Sequence, residues 1–224
     1  MIVELGSAPL ERVGGKAHGL ARLVELGLPV PPAVVVPVGE ELEDGAEVVR
    51  LLGEPLAVRS SAVGEDGADR SSAGQYDTVL GVRADGLAAA VERVRRSADS
   101  ERSLAYGASG PMAIVIQREI EASRAGVAFS RDPVTGEDAV FIECAAGGGE
   151  AVVSGTVTPD RYWVAGSVRA RAAGAVRTLR DDEAQMVAAL VRTAAAGFGA
   201  PVDVEFCFEG RNVWLVQCRA VTTL

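Results

Sequence analysis

Lysine and histidine are almost absent from this chain. Of its 22 lysine and arginine residues only Lys16 is a lysine, and His18 is the one histidine. A coding bias toward arginine, alanine, valine and glycine explains the rarity of lysine, so the position of Lys16 identifies no site by itself. The formal charge of −9 argues against a general surface for polyanions, because proteins that bind nucleic acids present a basic stripe.

Cysteines and long apolar runs are also scarce. Cys144, Cys207 and Cys218 are an odd number without CxxC spacing, which argues against a disulfide framework or a zinc site. No apolar run approaches the roughly 20 residues of a membrane span, and the first residues lack the pattern of a signal peptide. We therefore expect a cytoplasmic protein that binds neither membranes nor nucleic acids.

Along the chain, patterns typical of helices alternate with patterns typical of strands. It predicts an amphipathic helix that stops at Gly27, a strand over 112–120 and a second long helix over 180–199. Two hairpins are also predicted, one with "DPVTGED" as its turn and one that turns at 210–212. The alternation predicts an α+β or α/β chain of two lobes, with the break near residues 109–111.

The last hairpin carries the most informative polar residues. Glu205 and Gln217 are 12 residues apart, and an odd-length loop would place them opposite each other on one face. Arg219 follows on the same face, so two oxygen ligands for Mg²⁺ would lie beside a phosphate-neutralising guanidinium. The alternative is a hairpin with a polar outer face. The other face is expected to be apolar, with Val204, Phe206 and Val216.

Two glycine- or serine-rich segments add weaker signals for phosphate. Arg59 ends an apolar strand, where a guanidinium can make a bidentate phosphate contact. The small residues of 71–74 let backbone N–H groups approach phosphate oxygens, although such loops often only connect. "GGK" at 14–16 lacks the spacing of a Walker A loop, and "CAAGGGEAV" lacks the context of a dinucleotide fingerprint. His18 is expected on a helix surface.

Seven ordered segments together resemble one known family. They are "GGKAHGLARLVELGLPVPPAVVV", "LAVRSSAVGED", "SSAGQYDTVLGV", "MAIVIQREI", "AGVAFSRDPVTGE", "GEAVVSGTVTPDRYWV" and "DVEFCFEGRNVWLVQCRAVT". They resemble the ATP-binding domain of the phosphoenolpyruvate synthase and pyruvate phosphate dikinase family, which also includes rifampin phosphotransferase. The resemblance covers nearly the whole chain, from about Leu10 to Thr223.

The resemblance implies an ATP-grasp fold that holds ATP between two lobes. It implies that Lys16 and Arg59 contact the phosphates, that Glu205 and Gln217 associate with Mg²⁺, and that Arg219 contacts the terminal phosphates. Lys16, Arg59 and Arg219 would thus be the catalytic residues.

The resemblance also implies the remaining nucleotide contacts. The loop "SSAGQ", with Ser72 and Gly74, looks like the family's phosphate-covering loop. Gln117, Glu119 and Ile120 fall where the hinge strand that faces adenine lies in the family.

The sequence departs from the family pattern in three respects: one motif, the length of two connections, and a missing carrier domain. "QCRA" stands where the family has "QARP", and the connections after Val38 and after Leu80 are shorter than is usual. The family passes phosphate through a histidine on a separate swivelling domain, and no matching segment occurs here. We therefore expect a single ATP-grasp domain over 1–224, with lobes 1–110 and 111–224 and without a phosphohistidine or barrel domain.

The function expected from the resemblance is a dikinase-type phosphotransferase. The domain would bind Mg-ATP and transfer phosphate to a histidine on a partner protein, or to a small-molecule acceptor. One alternative is a non-catalytic nucleotide-binding or regulatory module that has lost its carrier domain. Another is an ATP-grasp ligase that activates a carboxylate as an acyl phosphate, which fits the fold but not the seven segments.

Overall fold

A computed structural model describes residues 1–63, 78–97, 111–148 and 157–221. The two predicted phosphate-loop residues, Ser72 and Gly74, lie outside these ranges. The chain forms two compact units. The first comprises Met1–Ala21 and Pro31–Glu119, and the second comprises Arg22–Val30 and Ile120–Leu224.

The division between the units falls after Glu119, later than the break expected near residues 109–111. The reason is the strand Met112–Arg118, which lies in the middle of the first unit's sheet, between Ala33–Val36 and Leu56–Ala62. The strand pattern of this segment was predicted, but its pairing partners lie far away in sequence and leave no local signal.

The first unit contains a five-stranded antiparallel sheet. Its strands are β1 (Val3–Glu4), β2 (Ala33–Val36), β3 (Leu56–Ala62), β4 (Thr78–Val82) and β5 (Met112–Arg118). Their order in the sheet is β1-β2-β5-β3-β4. β3 and β5 are therefore interior strands, and both are buried along most of their length.

Helices complete the first unit. In the described ranges they are α1 (Leu10–Glu25), whose residues from Arg22 onward are assigned to the second unit, α2 (Gly45–Leu52) and α3 (Leu87–Ser97), with a short 3₁₀ turn at Ala84–Gly86. The apolar sides of α2 and α3 pack on alternate residues of the interior strands, such as Val58 and Ile116, to form one hydrophobic core. α1 ends at Glu25 and is followed by Gly27 with φ of +70°, which confirms the predicted stop.

The second unit contains a six-stranded antiparallel sheet. Its strands are β6 (Arg124–Phe129), β7 (Val140–Ala146), β8 (Asp160–Ala165), β9 (Ser167–Arg171), β10 (Val202–Glu209) and β11 (Asn212–Ala220). Their order is β11-β10-β6-β7-β8-β9. Both predicted hairpins are confirmed, because β6 pairs with β7 and β10 pairs with β11 in antiparallel register.

One helix, α4 (Asp181–Phe198), covers one face of this second sheet. Its buried Glu183 receives a hydrogen bond of 2.8 Å from Arg124 of β6, and the same guanidinium lies 4.3 Å from the ring centre of Phe208 in β10. α4 ends before Gly199, which has φ of +67°, as the sequence predicted. Glu205 lies on the opposite face, because it alternates with the buried Val204 and Phe206, and its partner Gln217 shares that face with Arg219.

Two antiparallel sheets with few helices confirm the α+β class. Within the described ranges, the helices are too short or too polar to cross a membrane.

Candidate functional site

The segment around Lys16 is anchored to β3 by a close backbone approach. Gly14 interrupts α1 with φ of +74°, and a Cβ atom built on it would lie 2.1 Å from the carbonyl oxygen of Ser61. No side chain fits in that space, so only glycine allows this contact. The N–H of Ala17 donates to Ser61 Oγ at 3.1 Å. The half-buried Lys16 is therefore held beside the strand that carries Arg59.

Arg59 and Gln117 lie on one face of the first sheet. Arg59 of β3 is opposite Val115 of β5, and Ala57 is opposite Gln117, so the alternation along each strand puts both side chains on the same side. This face is opposite to the one that packs against α2 and α3. The structure thus brings two of the predicted nucleotide-binding residues to a common surface.

Gln117 has an unusual environment for an amide side chain. The residue is only 2% exposed, and its Nε2 has no hydrogen-bond partner among the described residues. An unpaired buried donor costs free energy, and nearly all buried polar atoms in folded proteins are paired. A ligand that presents an acceptor at this position would satisfy the amide.

Glu119 makes contacts that the sequence did not predict. Its carboxylate accepts a hydrogen bond from the backbone N–H of Gly81 in β4. Its own N–H donates to the carbonyl of Pro55 at 3.0 Å. The side chain predicted to face the nucleotide is therefore engaged with the backbone of the first unit.

The β10–β11 hairpin places the predicted magnesium ligands directly opposite each other, with Glu205 paired to Gln217. The reason given for this pairing was wrong, because the connection has two residues, Gly210 and Arg211, and not an odd number. A β-bulge next to Glu205 adds one residue on β11, Val216, and this bulge restores the pairing.

The predicted position of Val216 on the apolar face was wrong, and the bulge is the reason. Val204 and Phe206 are buried on the apolar face as predicted. Val216 instead packs with Ile120, Ala125, Cys207 and Trp214, because a bulge changes which face the extra residue occupies. The predicted hinge residue Ile120 is 8% exposed within this apolar cluster.

Asp203 is a member of the site that the sequence analysis missed. It is directly opposite Arg219, whose Nη2 and Nε lie 2.7 and 2.8 Å from Asp203 Oδ2. The signal was its spacing, since a residue two positions before Glu205 in a strand shares its face. Burial raises the pKa of Asp203, Arg219 opposes that rise, and the nearby charge of Glu205 adds to it.

The oxygen donors of the hairpin suit a hard divalent cation. Asp203 and Glu205 supply carboxylates and Gln217 supplies an amide oxygen, and Mg²⁺ is bound through one or two carboxylates with phosphate oxygens and water. Within the described ranges, the hairpin included, no group of three or more His, Cys, Asp or Glu residues gathers, so the donors here are two carboxylates and one amide. His18 is exposed on α1, as expected.

One family model matches more than half of the chain. Residues 38–174 match the model described as "Pyruvate phosphate dikinase, AMP/ATP-binding domain". This range includes Arg59, Gln117 and Glu119, while Lys16 and the β10–β11 hairpin lie outside it.

Curated relatives extend the similarity to the ends of the chain. The prodigiosin synthesizing transferase PigC of Serratia marcescens is 34% identical over 100% of this chain and 33% of its own length. A probable phosphoenolpyruvate synthase of Methanothermobacter thermautotrophicus is 29% identical over 99% of the chain and 45% of its own length. A rifampicin phosphotransferase of Streptomyces is 36% identical over 75% of the chain and 23% of its own length.

The chain is thus shorter than these relatives in two ways. It spans less than half of their length. The alignment with PigC also runs over 295 positions although the chain has 224 residues, so PigC carries insertions within the matched region.

Solved structures with the same fold are ATP-grasp ligases. D-alanine–D-alanine ligase of Bacillus anthracis in complex with ATP has a TM-score of 0.54 at 13% identity, over 92% of this chain and 52% of the ligase. An L-amino acid ligase of Bacillus licheniformis has a TM-score of 0.54 at 18% identity, over 94% of the chain and 43% of the ligase. At such low identity the similarity establishes the ATP-grasp fold alone.

Proposed function

The chain belongs to the family of pyruvate phosphate dikinase AMP/ATP-binding domains, and from this premise we propose that it binds Mg-ATP and transfers phosphate to an acceptor. The observation that carries the proposal is the face of the β10–β11 hairpin. There Glu205 lies opposite Gln217, and Arg219 lies opposite Asp203 two positions along the strands, on the same face. Oxygen donors for a cation and a guanidinium for phosphate are thereby aligned on two strands.

Glu205 and Gln217 are the proposed magnesium ligands, with Asp203 beside them. Bound Mg²⁺ would neutralise charge on the phosphate oxygens during transfer. The protein's own contribution is to hold the two oxygen donors opposite each other, which the bulge at Val216 achieves.

Three cations are proposed to contact the phosphates. Lys16 and Arg59 belong to the first unit, where Gly14 and Ser61 connect their segments. Arg219 belongs to the second unit, where Asp203 orients its guanidinium. Fixed positive charges of this kind stabilise the negative charge of a transferring phosphoryl group without reorganisation at the moment of transfer.

Other proposed contacts complete the nucleotide site. The unpaired Nε2 of Gln117 supports a hydrogen bond to an acceptor nitrogen of the base, and the apolar cluster around Ile120 supports stacking against the ring. Ser72 and Gly74 are proposed as phosphate contacts on sequence grounds alone.

The acceptor is proposed to be a histidine on a partner protein or a small molecule. Similarity to longer transferases supports an acceptor outside this domain. The chain's own histidine, His18, lies on α1, two residues after the proposed phosphate contact Lys16. A cytoplasmic location stays a prediction from composition.

Binding and product analysis test the proposal together. Calorimetry with Mg-ATP is expected to show saturable binding by the full chain, reduced by Lys16→Ala and by Arg219→Ala in folded variants. Absence of binding would contradict the proposal.

Incubation with Mg-ATP and a phosphohistidine-domain protein encoded next to the chain's gene then separates the reaction types. AMP with phosphate identifies dikinase chemistry, and ADP identifies a single transfer. Saturable ATP binding without turnover identifies a non-catalytic module.

A further inference from the structure

β4 contains an irregularity at its middle. Its register with β3 shifts so that two residues, Leu80 and Gly81, lie opposite the single residue Ala57. Gly81 has φ of +67°, the left-handed conformation that a glycine adopts in one common type of β-bulge. A bulge removes a backbone group from the regular ladder, so the N–H of Gly81 requires another acceptor.

Glu119 supplies that acceptor. Its carboxylate receives the hydrogen bond from the Gly81 N–H, although the two residues are 38 positions apart in sequence. Glu119 is itself held in place, because its N–H donates to the carbonyl of Pro55 at 3.0 Å. The bulge in β4 is thus connected to the segment that directly follows β5.

The bulge determines how β4 meets the strand that carries Arg59. Beyond the bulge, Thr78, the first residue of β4, lies opposite Arg59. Since side chains alternate along a strand, a slip of one residue would turn each side chain of β4 to the other face. Thr78 is also the first described residue after the predicted phosphate loop, 71–75, which lies outside the described ranges.

We propose that Glu119 is a positioning residue for the phosphate half of the ATP site. Its carboxylate holds the bulge at Gly81 and thereby fixes the register in which β4 presents Thr78 to Arg59. This inference rests on the proposed function, and it gives Glu119 an indirect role in place of the direct nucleotide contact expected from the hinge position.

The two roles make different predictions for ATP and AMP. A side chain that contacts the base contributes equally to both nucleotides, because both carry adenine. A side chain that positions the phosphate-binding segments contributes mainly to ATP. The ratio of the two affinities therefore distinguishes the roles.

Competition against a fluorescent ATP analogue, with Mg²⁺ and the full chain, measures that ratio. Glu119→Ala is expected to weaken ATP binding roughly tenfold, the effect of losing one hydrogen bond to a charged group, and to leave AMP binding unchanged. Glu119→Gln is expected to retain most of the affinity, because its amide oxygen still accepts from Gly81. Should the alanine variant not fold, Glu119→Met preserves the bulk and removes the acceptor.

Hydrogen exchange of the peptide over 78–83 provides the second readout. Exchange is expected to be faster in Glu119→Ala and restored in Glu119→Gln. The matched control is Glu92→Ala, which removes a carboxylate that pairs with Arg95 at 3.3 Å on the surface of α3, and it is expected to change neither readout.

The outcomes separate this inference from the proposed function. Equal weakening of ATP and AMP, or unchanged ATP affinity in Glu119→Ala, would overturn the positioning role while leaving ATP binding established. A failure of the unsubstituted chain to bind ATP contradicts the proposed function and, with it, this role.

Discussion

Arg219 contacts a single carboxylate oxygen of Asp203 through two nitrogen atoms, since Nε donates a hydrogen bond at 2.8 Å and Nη2 forms a salt bridge at 2.7 Å. The pair lies next to Glu205 and Gln217 on the same face of the β10–β11 hairpin. Asp203 thereby orients the guanidinium beside the proposed magnesium ligands. Asp203 is also costly to the fold, because burial and the charge of Glu205 raise its pKa against the effect of Arg219.

Asp203→Asn is expected to weaken nucleotide binding without lowering the stability of the fold. A carboxyl group with a raised pKa favours the folded state most when protonated, and this advantage is lost as pH rises through its folded-state pKa. The neutral amide is therefore expected to keep or increase the free energy of unfolding at pH 7.5. Affinity for Mg-ATP is expected to fall by roughly 10- to 100-fold, the usual effect of removing a group that orients metal-site residues.

Denaturant titration at pH 7.5 and calorimetry with Mg-ATP check this prediction. Exposed Asp138 provides the control, since Asp138→Asn removes the same charge and is expected to change neither measurement. A clear loss of stability in Asp203→Asn, or unchanged ATP affinity, would show that the Asp203–Arg219 pair serves the fold and not the nucleotide.

Some features of the β10–β11 hairpin could be predicted from the local sequence and others could not. Residue type singled out Glu205 and Gln217, and the buried face with Val204 and Phe206 was predictable, but the argument from an odd loop length for the opposition of Glu205 and Gln217 was wrong. The bulge at Val216 was not predictable, because it compensates a two-residue turn whose length the sequence leaves open. That one residue decided which side chains join the apolar cluster of Ile120.

Long-range contacts were beyond the reach of sequence patterns. Nothing local to Gly14 indicated that its backbone lies against the carbonyl of Ser61. In the same way, Glu119 was placed at the hinge by resemblance, while its bond to Gly81 depends on the pairing of β4. Tertiary pairing determines both contacts.

Glu205→Gln is expected to weaken the metal dependence of ATP binding. The substitution keeps the size of the side chain and an oxygen ligand, but it removes the negative charge that favours a divalent cation. In a titration of Mg²⁺ at constant ATP, the half-saturating concentration is expected to rise at least tenfold, in the range seen when groups of a metal site are altered. An unaltered titration would exclude Glu205 as a ligand, and Glu209→Gln on the same strand is the control.

Gly14→Ala is expected to destabilise the chain more than other substitutions of glycines with positive φ. The backbone conformation alone, with φ of +74° and ψ of 174°, costs an alanine about 1–3 kcal/mol, and here the added Cβ would also meet the Ser61 carbonyl. Gly39→Ala is the matched control, because Gly39 has φ of +76° and open space around the added atom. The difference in free energy of unfolding between the two variants measures the close approach, and equal losses would argue against it.

Glu183 is expected to stabilise the second unit in a pH-dependent way. It accepts hydrogen bonds from Arg124 at 2.8 Å and from the N–H of Arg180 at 2.9 Å. The hydrogen bond from Arg124 is the main cause that lowers its pKa below the ordinary value of 4.5, while burial opposes the shift. A carboxylate whose pKa is lowered on folding stabilises the folded state fully above its unfolded-state pKa. This stabilisation is lost as pH falls through the folded-state pKa.

Glu183→Gln is therefore expected to lower the free energy of unfolding at pH 7 by about 2 kcal/mol, the value of a hydrogen bond to a charged group. The difference from the unsubstituted chain is expected to shrink below pH 4.5, where the native carboxylate begins to lose its advantage. Urea titrations between pH 3 and pH 7 measure both effects. Asp182→Asn alters the exposed neighbour that pairs with Arg180, and both effects are expected to be much smaller because solvent screens that pair. A pH-independent difference for Glu183→Gln would mean that packing, and not the ion pair with Arg124, carries the effect.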